Sequence, residues 1–461
     1  MRASTGIRCA TVLVVSAITL SSSIRTPAQS ATWLDTYRDA ASRLIGESMA
    51  TTFAWDRLAL LGDTFGHRLS GSDSLEKAIA WAAVEMRKDG LENVRTEPVK
   101  VPHWVRGRES LDIVEPHRSA LAMLGLGNSV GTPPDGIEAD VMVVRSLADF
   151  DAAGDRVKGK IVLFNVPFTT YGDTVSYRTS GPSRAAARGA VAMLVRAVGP
   201  PGLRTPHTGV LTYTEGEPRI PAASIATEDA DRLQRMQNRG TKVRLRLKME
   251  AKMLPDADSA NVVAEIRGSE RPDEVVVVGG HFDSWDVGTG STDDGGGCVV
   301  TWEALRLMKQ LNLRPRRTVR VVLFTNEENG LAGGRAYLAR YRSQLANHVL
   351  MLESDSGVFR PTGFGFTGSM TARAMMQQIA TLLKPIGADH IGPSGGGADI
   401  GPAVEAGSIP SMSLEVDGNY FLIHHTEADT VDKIDPADMA KAAAAVAIVA
   451  YVVADMPERL R

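Results

Sequence analysis

Histidine and carboxylate residues in one glycine-rich stretch, residues 274–297, have the types and spacing of part of a metal site. His281 and Asp283 follow a run of four valines that predicts a buried strand, and their side chains point to the same side of its carboxyl end. Asp293 and Asp294 follow on a turn rich in glycine. An imidazole, an acceptor that orients it and further carboxylates are the components of zinc sites in proteins. A structural hydrogen-bonded pair would explain His281 and Asp283 equally well, so this stretch alone does not decide between the two readings.

Three later segments carry the same residue types where strands or loops are expected to end. They are the pair Glu327 and Glu328, the segment 353–355 with two acids, and the segment 421–430 with two histidines. Adjacent glutamates raise each other's pKa unless a cation compensates them, and their side chains point in different directions. One of the pair can therefore bind a metal while the other faces a substrate. A solvated acidic rim would explain each segment separately, but the recurrence at strand ends favours one shared site.

The elements that would position these side chains alternate from Asn261 onward. Runs of apolar residues predict strands at Val262–Ile266, Val275–Val278, Thr318–Thr325, Val349–Ser354 and Ser411–Val416. Segments of helical periodicity lie at Cys298–Leu311, Arg335–Ala346, Thr371–Ile386 and Pro436–Ala454. The alternation predicts an α/β fold whose sheet is largely parallel in its centre and covered on both faces. The last helix is apolar except for Lys441, and we expect it to be buried rather than to span a membrane.

The chain before this pattern divides into two parts. Residues 37–62 predict helix, a second helix follows a capping residue at Ser72 or Asp73, and residues 94–101 predict a strand. Between residues 118 and 256, short strands and turns predominate, and no cluster of Asp, Glu and His occurs. We interpret this segment as an insert that covers or gates the site, with a purely stabilising lobe as the alternative.

The composition and the first residues limit the class of protein to which the chain can belong. The chain has 461 residues, 43% of them hydrophobic, and a formal net charge of −3, so no basic surface indicates nucleic acid as a partner. Residues 1–30 have the arginines, apolar run and small residues of a signal peptide cleaved before Ala31, which predicts a secreted or periplasmic protein. An uncleaved anchor is the alternative.

Once Cys9 is removed, Cys298 is the one remaining thiol, so the mature protein would have no intrachain disulfide.

Five motifs together resemble the co-catalytic zinc aminopeptidase and glutamate carboxypeptidase family. They are His281-Phe282-Asp283-Ser284, Gly290-Ser291-Thr292-Asp293-Asp294, Asn326-Glu327-Glu328-Asn329-Gly330, Glu353-Ser354-Asp355, and His425-Thr426 followed by Asp429-Thr430. The stretch SWDVGTGSTDDGGG is distinctive of one subgroup, and the similarity covers nearly the whole mature chain. The resemblance implies a zinc-exopeptidase three-layer α/β fold with a mostly parallel central sheet and an inserted β-rich domain of the protease-associated type. The implied organisation is a signal peptide (1–30), an N-terminal part of the peptidase domain (31–117), the insert (118–256) and the catalytic zinc peptidase domain (257–461).

The resemblance also implies a binuclear centre with two Zn²⁺ ions per subunit. Asp293 matches the carboxylate that bridges the two ions. His281 and Asp355 would complete the first ion, and Glu328 and His425 the second. Five protein ligands with one shared carboxylate leave positions open for water and substrate, as a catalytic zinc site requires.

Further roles follow from the same resemblance. Glu327 matches the general base of the family, and Asp283 matches the acceptor that fixes the tautomer of His281. The family also implies a cis peptide bond between Asp293 and Asp294.

The roles of three residues near the site are open, with two interpretations for each. His424 competes with His425 for the ligand role, and the spacing to Thr426 and Asp429 favours His425. Tyr420 could stabilise an oxyanion through its hydroxyl or could be a packed core residue. Asp399 ends a GGGAD turn, where we expect it to cap a helix, with a role in substrate binding as the weaker alternative.

These implications predict a zinc-dependent exopeptidase that hydrolyses short peptides, principally dipeptides, by a metal-activated water. An aminopeptidase of the same family that acts on longer peptides is the nearest alternative. From another class, a non-catalytic receptor-like ectodomain on this fold would be expected to have lost ligands. The expected partners are a short peptide and, by resemblance to the subgroup, a second copy of the chain in a homodimer.

Overall fold

The computed structural model of the protein describes residues 1, 3, 6 and 32–460. The predicted signal peptide therefore lies almost entirely outside the described residues. The described strands form two mixed sheets of eight strands each.

The strands are, in chain order, β1 (Glu92–Val105), β2 (Glu109–Glu115), β3 (Ser119–Leu121), β4 (Met123–Gly125), β5 (Ile137–Val144), β6 (Ile161–Phe164), β7 (Ala192–Arg196), β8 (Ala222–Ile225), β9 (Arg244–Met249), β10 (Lys252–Ile266), β11 (Arg271–His281), β12 (Arg317–Phe324), β13 (His348–Glu353), β14 (Arg360–Thr367), β15 (His390–Gly392) and β16 (Ser411–Asp417). The α-helices are α1 (Arg38–Met49), α2 (Phe53–Phe65), α3 (Asp73–Lys88), α4 (Leu147–Ala153), α5 (Tyr171–Thr179), α6 (Gly181–Ala187), α7 (Thr227–Asn238), α8 (Gly296–Gln310), α9 (Ala332–Tyr341), α10 (Met370–Ala380), α11 (Gly401–Gly407), α12 (Tyr420–Ile423) and α13 (Pro436–Asp455).

The first sheet, called the main sheet below, has the strand order β1-β10-β12-β11-β13-β16-β14-β15. Its four central strands, β12, β11, β13 and β16, run parallel to one another. Strands β10 and β14 are antiparallel to their inner neighbours β12 and β16. The prediction of an α/β sheet that is parallel in its centre is thereby confirmed.

Burial explains why the central strands are continuous runs of apolar residues. Every residue of β12 and β13 is buried, because helices cover both faces of the main sheet. Apolar side chains from α1, α2, α3, α8, α10 and α13 share one core with one face of the sheet. A smaller core on the other face contains apolar residues of α9 and α11. The result is a layer of strands between two layers of helices.

Helix α13 lies inside the larger core. It is long and apolar enough to span a membrane by length and composition, but 78% of its most apolar window is buried within the protein. Alanines and valines on all sides of the helix contact other elements of the core. The prediction of a buried core helix is confirmed.

The second sheet has the order β3-β2-β9-β5-β6-β7-β8-β4 and packs in two further apolar cores, one of which also contains Leu69, Trp104 and Trp285. The chain leaves the main sheet at the end of β1 and returns at β10, which pairs with β1 in antiparallel register. The segment 109–249, called the insert below, thus connects β1 to β10, two neighbouring strands of the main sheet. The sequence predicted the range 118–256, but β2 already belongs to the second sheet and the first residues of β10 already belong to the main sheet. The second boundary differs because the first residues of β10 are largely exposed and give no alternation of buried and exposed positions.

Candidate metal centre and active site

The carboxyl ends of the parallel strands bring the predicted site residues together at one edge of the main sheet. His281 is the last residue of β11, Glu327 and Glu328 follow β12, and Asp355 follows β13. His425 lies in the loop after α12. Residues far apart in the sequence thus meet because their strands are neighbours.

One group of candidate metal ligands consists of His281, Asp293 and Asp355. The Nε2 atom of His281 lies 3.2 Å from Oδ1 of Asp293 and 3.5 Å from Oδ1 of Asp355. Two atoms that are each about 2.0–2.1 Å from a tetrahedral zinc ion stand about 3.3–3.4 Å from each other. The observed separations are therefore those of ligands around one zinc ion.

A second group uses the other carboxylate oxygen of Asp293. The Nε2 atom of His425 lies 3.2 Å from Oδ2 of Asp293 and 3.1 Å from Oε2 of Glu328. The two oxygens of Asp293 thus face different sets of ligands, which is the arrangement of a carboxylate that bridges two cations.

The chemistry of these atoms fits zinc. Nε2 of His281, Oδ2 of Asp293 and Oδ1 of Asp355 are buried and have no hydrogen-bond partner in the described part of the chain. Buried polar atoms in folded proteins nearly always have a partner, and a cation bound among these atoms would provide one. Imidazole nitrogen and carboxylate oxygen are ligands that zinc accepts. The two groups are consistent with a binuclear zinc site.

His424 lies in the same place as His425 but has fewer acidic neighbours. The two rings stack with their centroids 3.5 Å apart, and Nε2 of His424 is 3.5 Å from Oδ2 of Asp293. His425 contacts both Asp293 and Glu328, whereas His424 lies near Asp293. Asp293, His424 and His425 together form a group that could hold a metal ion, and the additional contact with Glu328 favours His425 as the ligand.

Electrostatics in the site without metal show an excess of buried negative charge. Burial, together with the charges of Asp355 and Glu328, raises the pKa of Glu327 well above its ordinary value. Burial and Asp293 raise the pKa of Glu328 to about 7. Burial alone would lower the pKa of His425, but Glu328 and Asp293 raise it to about 10. Cations are the partners that such a cluster requires.

Asp283 contacts His281 through a different group from the one that the resemblance implied. The backbone carbonyl of Asp283, rather than its carboxylate, is 2.9 Å from Nδ1 of His281, and the carboxylate oxygen is 3.9 Å away. The carboxylate instead accepts hydrogen bonds from the backbone N–H groups of Glu327 and Glu328 and from the hydroxyl of Ser70. Asp283 therefore orients His281 through its main chain and holds the two glutamates through its side chain.

The turn that presents Asp293 is held by buried polar groups. Asp429 accepts hydrogen bonds from the backbone N–H groups of residues 291, 292 and 293. The guanidinium of Arg68 donates to the carbonyls of residues 289 and 290. The peptide bond between Asp293 and Asp294 is cis, as the family resemblance implied. Gly290 begins the turn with a φ of 55°, a backbone conformation that favours glycine.

The site opens into a cavity of about 530 Å³ that Glu327 and Tyr420 both line. This volume is within the usual range for a small-ligand site. Burial raises the pKa of Tyr420 well above its ordinary value, with Asp293 as the next contribution, so the phenol remains protonated and can donate a hydrogen bond.

Two acidic residues near the site were missed or misjudged from the sequence. Helix α11 has no side-chain cap, and the carboxylate of Asp399 is buried without a hydrogen-bond partner, so the predicted capping role is wrong. The amide N–H of Ile400 instead donates to Glu353 at 2.9 Å. A β-carbon on Gly397 would be 2.2 Å from the carboxyl carbon of Glu353. The run of glycines before Asp399 was thus a signal of close packing against Glu353.

Comparison with known proteins agrees with this geometry. The model of peptidase family M28 matches residues 261–450. Human carboxypeptidase Q is 49% identical over 408 residues, which cover 88% of this chain and 86% of the human protein. Carboxypeptidase Q of Xenopus laevis is 48% identical over 433 residues, or 93% of this chain and 92% of that protein.

Solved structures show the same fold. A peptidase M28 precursor from Shewanella amazonensis superposes with a TM-score of 0.89 at 34% identity, covering 93% of this chain and 98% of that one. The zinc aminopeptidase BSAP from Bacillus subtilis has a TM-score of 0.66 at 20% identity, covering 88% and 96% of the two chains. The second likeness supports the fold alone. With two ligand groups that share one aspartate, and with close relatives over nearly its whole length, the chain belongs to peptidase family M28 and is a zinc metallopeptidase.

Proposed function

We propose that the protein is a secreted or periplasmic zinc exopeptidase that hydrolyses short peptides, principally dipeptides. The observation that carries the proposal is that both ligand groups share Asp293 and that Asp293 and Glu327 line one cavity. The similarity to proteins named carboxypeptidase Q supports exopeptidase activity on a carboxyl-terminal residue.

Two Zn²⁺ ions are assigned to the five ligands that the sequence predicted. Asp293 would be shared by the two ions, His281 and Asp355 would hold one, and Glu328 and His425 would hold the other. When bound, the ions polarise a carbonyl and lower the pKa of a water molecule towards about 7.

The remaining residues act on the proton and on developing charge. Glu327 lines the same cavity as Asp293, Glu328 and Asp355. It takes the proton from the attacking water, then delivers it to the departing amine. Asp283 keeps Glu327 in place by accepting its backbone N–H at 3.0 Å. Tyr420 donates a hydrogen bond to the oxyanion from the cavity wall.

The domain organisation is part of the proposal. Residues 31–117 and 257–461 form the peptidase domain, apart from the boundary strands described above, and the insert is a domain of the protease-associated type. Its separate sheet and the apolar core formed by its own residues support this assignment. Residues 1–30 are proposed to be a signal peptide, and two copies of the mature chain are proposed to form a homodimer.

Replacement of the general base tests the mechanism. We expect Glu327→Gln to lower kcat for a dipeptide by about 10²–10⁴-fold, because the amide cannot accept the proton. Zinc content should remain near two ions per chain, measured by mass spectrometry of the dialysed protein. The exposed Glu427 on the same loop as His425 offers a control, since Glu427→Gln changes the same group outside the cavity.

The alternatives predict different results. Faster hydrolysis of a tripeptide or an aminoacyl arylamide than of any dipeptide would support an aminopeptidase. Protein that contains no divalent metal and turns over no peptide would contradict the proposed function.

A further inference from the structure

An arginine just before the insert ties the insert to the turn that follows β11. Arg106 lies between β1 and β2, where the chain leaves the main sheet, and its side chain is 10% exposed. Its Nε and Nη2 atoms donate to the two carboxylate oxygens of Asp286 at 2.9 and 2.5 Å. A paired fork of this kind fixes both the distance and the orientation of the two groups. The ion pair therefore joins the base of the insert to residues 282–290.

The same guanidinium also holds two segments inside the insert. Its Nη2 atom donates to the hydroxyl of Thr208 at 3.2 Å, and its Nη1 atom donates to the carbonyl of Gly125 at 2.5 Å. The hydroxyl of Thr208, a buried residue, donates in turn to that carbonyl at 2.7 Å. Arg106 thus holds Asp286 on the main-sheet side and Thr208 on the insert side.

Thr208 presents both of its main-chain polar groups to His425. Its N–H donates to the carbonyl of His425 at 2.9 Å, and its own carbonyl lies 3.3 Å from Nδ1 of the imidazole. The Nε2 atom of the same ring faces Asp293 and Glu328. A neutral histidine that binds a metal through Nε2 has its proton on Nδ1, and an acceptor for that proton fixes the ring. Thr208 supplies this acceptor, which also accepts from Arg178 at 3.3 Å.

Trp285, the neighbour of Asp286 in the chain, contacts the other ligand of the second group. Its backbone N–H donates to Oε1 of Glu328 at 3.2 Å, while Oε2 of Glu328 faces His425. The indole lies edge-to-face with the imidazole of His425, with 5.7 Å between the ring centroids. The indole also packs against the insert, where a β-carbon on Gly127 would lie 1.9 Å from the ring. Both ligands of the second group are therefore oriented by residues that Arg106 holds together.

The first ligand group is oriented by other contacts. Nδ1 of His281 lies 2.9 Å from the carbonyl of Asp283, and the N–H of His281 donates to the carboxylate of Asp294 at 3.1 Å. Asp355 follows β13, which pairs with β11 inside the main sheet. None of these contacts involves the insert or Arg106. The two ligand groups thus differ in what orients them.

We propose that Arg106, through its ion pair with Asp286, positions Glu328 and His425 and thereby sets the zinc affinity of the second ligand group. Arg106 acts through Thr208 and Trp285, so it is a positioning residue. The inference rests on the two zinc ions of the proposed function. It specifies that the ion held by the second group depends on how the insert is attached, whereas the ion held by the first group does not.

Zinc affinity tests this proposal without relying on peptide hydrolysis. The metal-free full chain is titrated with zinc in competition with a chromophoric chelator. Two backgrounds separate the ions, because Asp355→Asn removes a ligand of the first group and His425→Gln removes a ligand of the second. Arg106→Met should weaken the remaining tight site by about 10–100-fold in the Asp355→Asn background and leave it unchanged in the His425→Gln background.

Two further variants complete the test. Asp286→Asn removes the partner charge and keeps the shape of the side chain, so it should cause the same selective loss. It also decides the question if circular dichroism shows that Arg106→Met does not fold. Arg108, on the same connection, pairs with Glu250 at 2.7 Å with a side chain that is 90% exposed. Arg108→Met should leave both affinities unchanged, because exposed ion pairs contribute little.

The other outcomes overturn defined statements. Equal weakening in the two backgrounds would show that Arg106 supports the fold as a whole, and the inference would be wrong. Unchanged affinity in both backgrounds would also overturn it. Native protein that binds two zinc ions but hydrolyses no peptide would contradict the proposed function, while the affinities would still decide the role of Arg106. Native protein that binds no zinc would overturn both.

Discussion

At the scale of single residues, the position of Asp293 depends on a second carboxylate behind it. Asp429 accepts backbone hydrogen bonds of 3.1, 2.7 and 3.1 Å from residues 291, 292 and 293. Three donors converge on two oxygens, so the turn is fixed around the carboxylate that contacts both ligand groups. Groups that orient metal ligands in this way affect metal affinity without touching the metal.

We therefore expect Asp429→Asn to weaken zinc binding by about 10–100-fold. The amide has nearly the same shape, but its NH₂ group would face a backbone N–H that now has no acceptor. Zinc affinity is measured by competition with a chromophoric chelator. Asp432→Asn, an exposed change on the same loop, is the control. Equal zinc affinities for the two variants would contradict the assigned role of Asp429.

At the scale of elements, β13 is fixed to α9 by a buried histidine at its first residue. Nε2 of His348 is 2.8 Å from the hydroxyl of Tyr337, and Nδ1 is 3.1 Å from the carbonyl of Gln344. The ring is consistent with a neutral form that donates to the carbonyl and accepts from the phenol. Burial, together with the charge of Arg320, lowers the pKa of His348 to about 4.

This lowered pKa predicts a pH-dependent contribution to stability. Between pH 6.5 and 4 the unfolded chain binds a proton at His348 and the folded protein does not, so the free energy of unfolding falls as the pH falls. His348→Gln removes this titration. The difference in free energy of unfolding between native protein and variant should therefore shrink from pH 7 to pH 5, measured by urea denaturation of the zinc-loaded proteins. A difference that is independent of pH would contradict the neutral assignment.

Whether a strand could be predicted from the sequence depends on how clearly apolar residues mark it. The central strands are buried on both faces, so their apolar runs identify them. Strand β14 (Arg360–Thr367) was missed because it contains a proline and two glycines, and β15 has three residues. The first part of β10 was missed because it pairs with β1 through polar, largely exposed residues.

The residues of the candidate site also divide into those that the sequence could predict and those that it could not. The candidate metal ligands stand beside recognisable strand ends or in motifs, so their types and positions could be predicted. Arg178 carries no local signal, and the glycines before Asp399 indicate close packing without identifying Glu353 as the partner, because these contacts join segments far apart in the chain. Such contacts follow from the fold and cannot be read from neighbouring residues.

At the scale of the whole molecule, the insert meets the rest of the chain at the loop that carries His425, a candidate metal ligand. The carbonyl of Thr208 lies 3.3 Å from Nδ1 of His425, so the insert supplies an acceptor for a candidate metal ligand. Cys298 is a buried free thiol, and no disulfide links the described residues. The stability of the assembled site therefore depends on packing, hydrogen bonds and bound metal.

Removal of zinc should make the stability of the whole protein sensitive to alkaline pH. Without metal, the folded state holds the pKa of Glu328 near 7 and that of His425 near 10, above their ordinary values of 4.5 and 6.5. Groups with raised folded-state pKa values stabilise fully below the unfolded-state values, and this stabilisation is lost as the pH rises through the folded-state values. The Tm of EDTA-treated protein should therefore fall from pH 6.5 to pH 8.5, measured by calorimetry. Zinc requires deprotonated ligands, so the Tm of zinc-loaded protein should fall less and the gap between the two should widen. A metal-free Tm that is constant or rises over this range would show that the acidic cluster is not protonated in the folded protein.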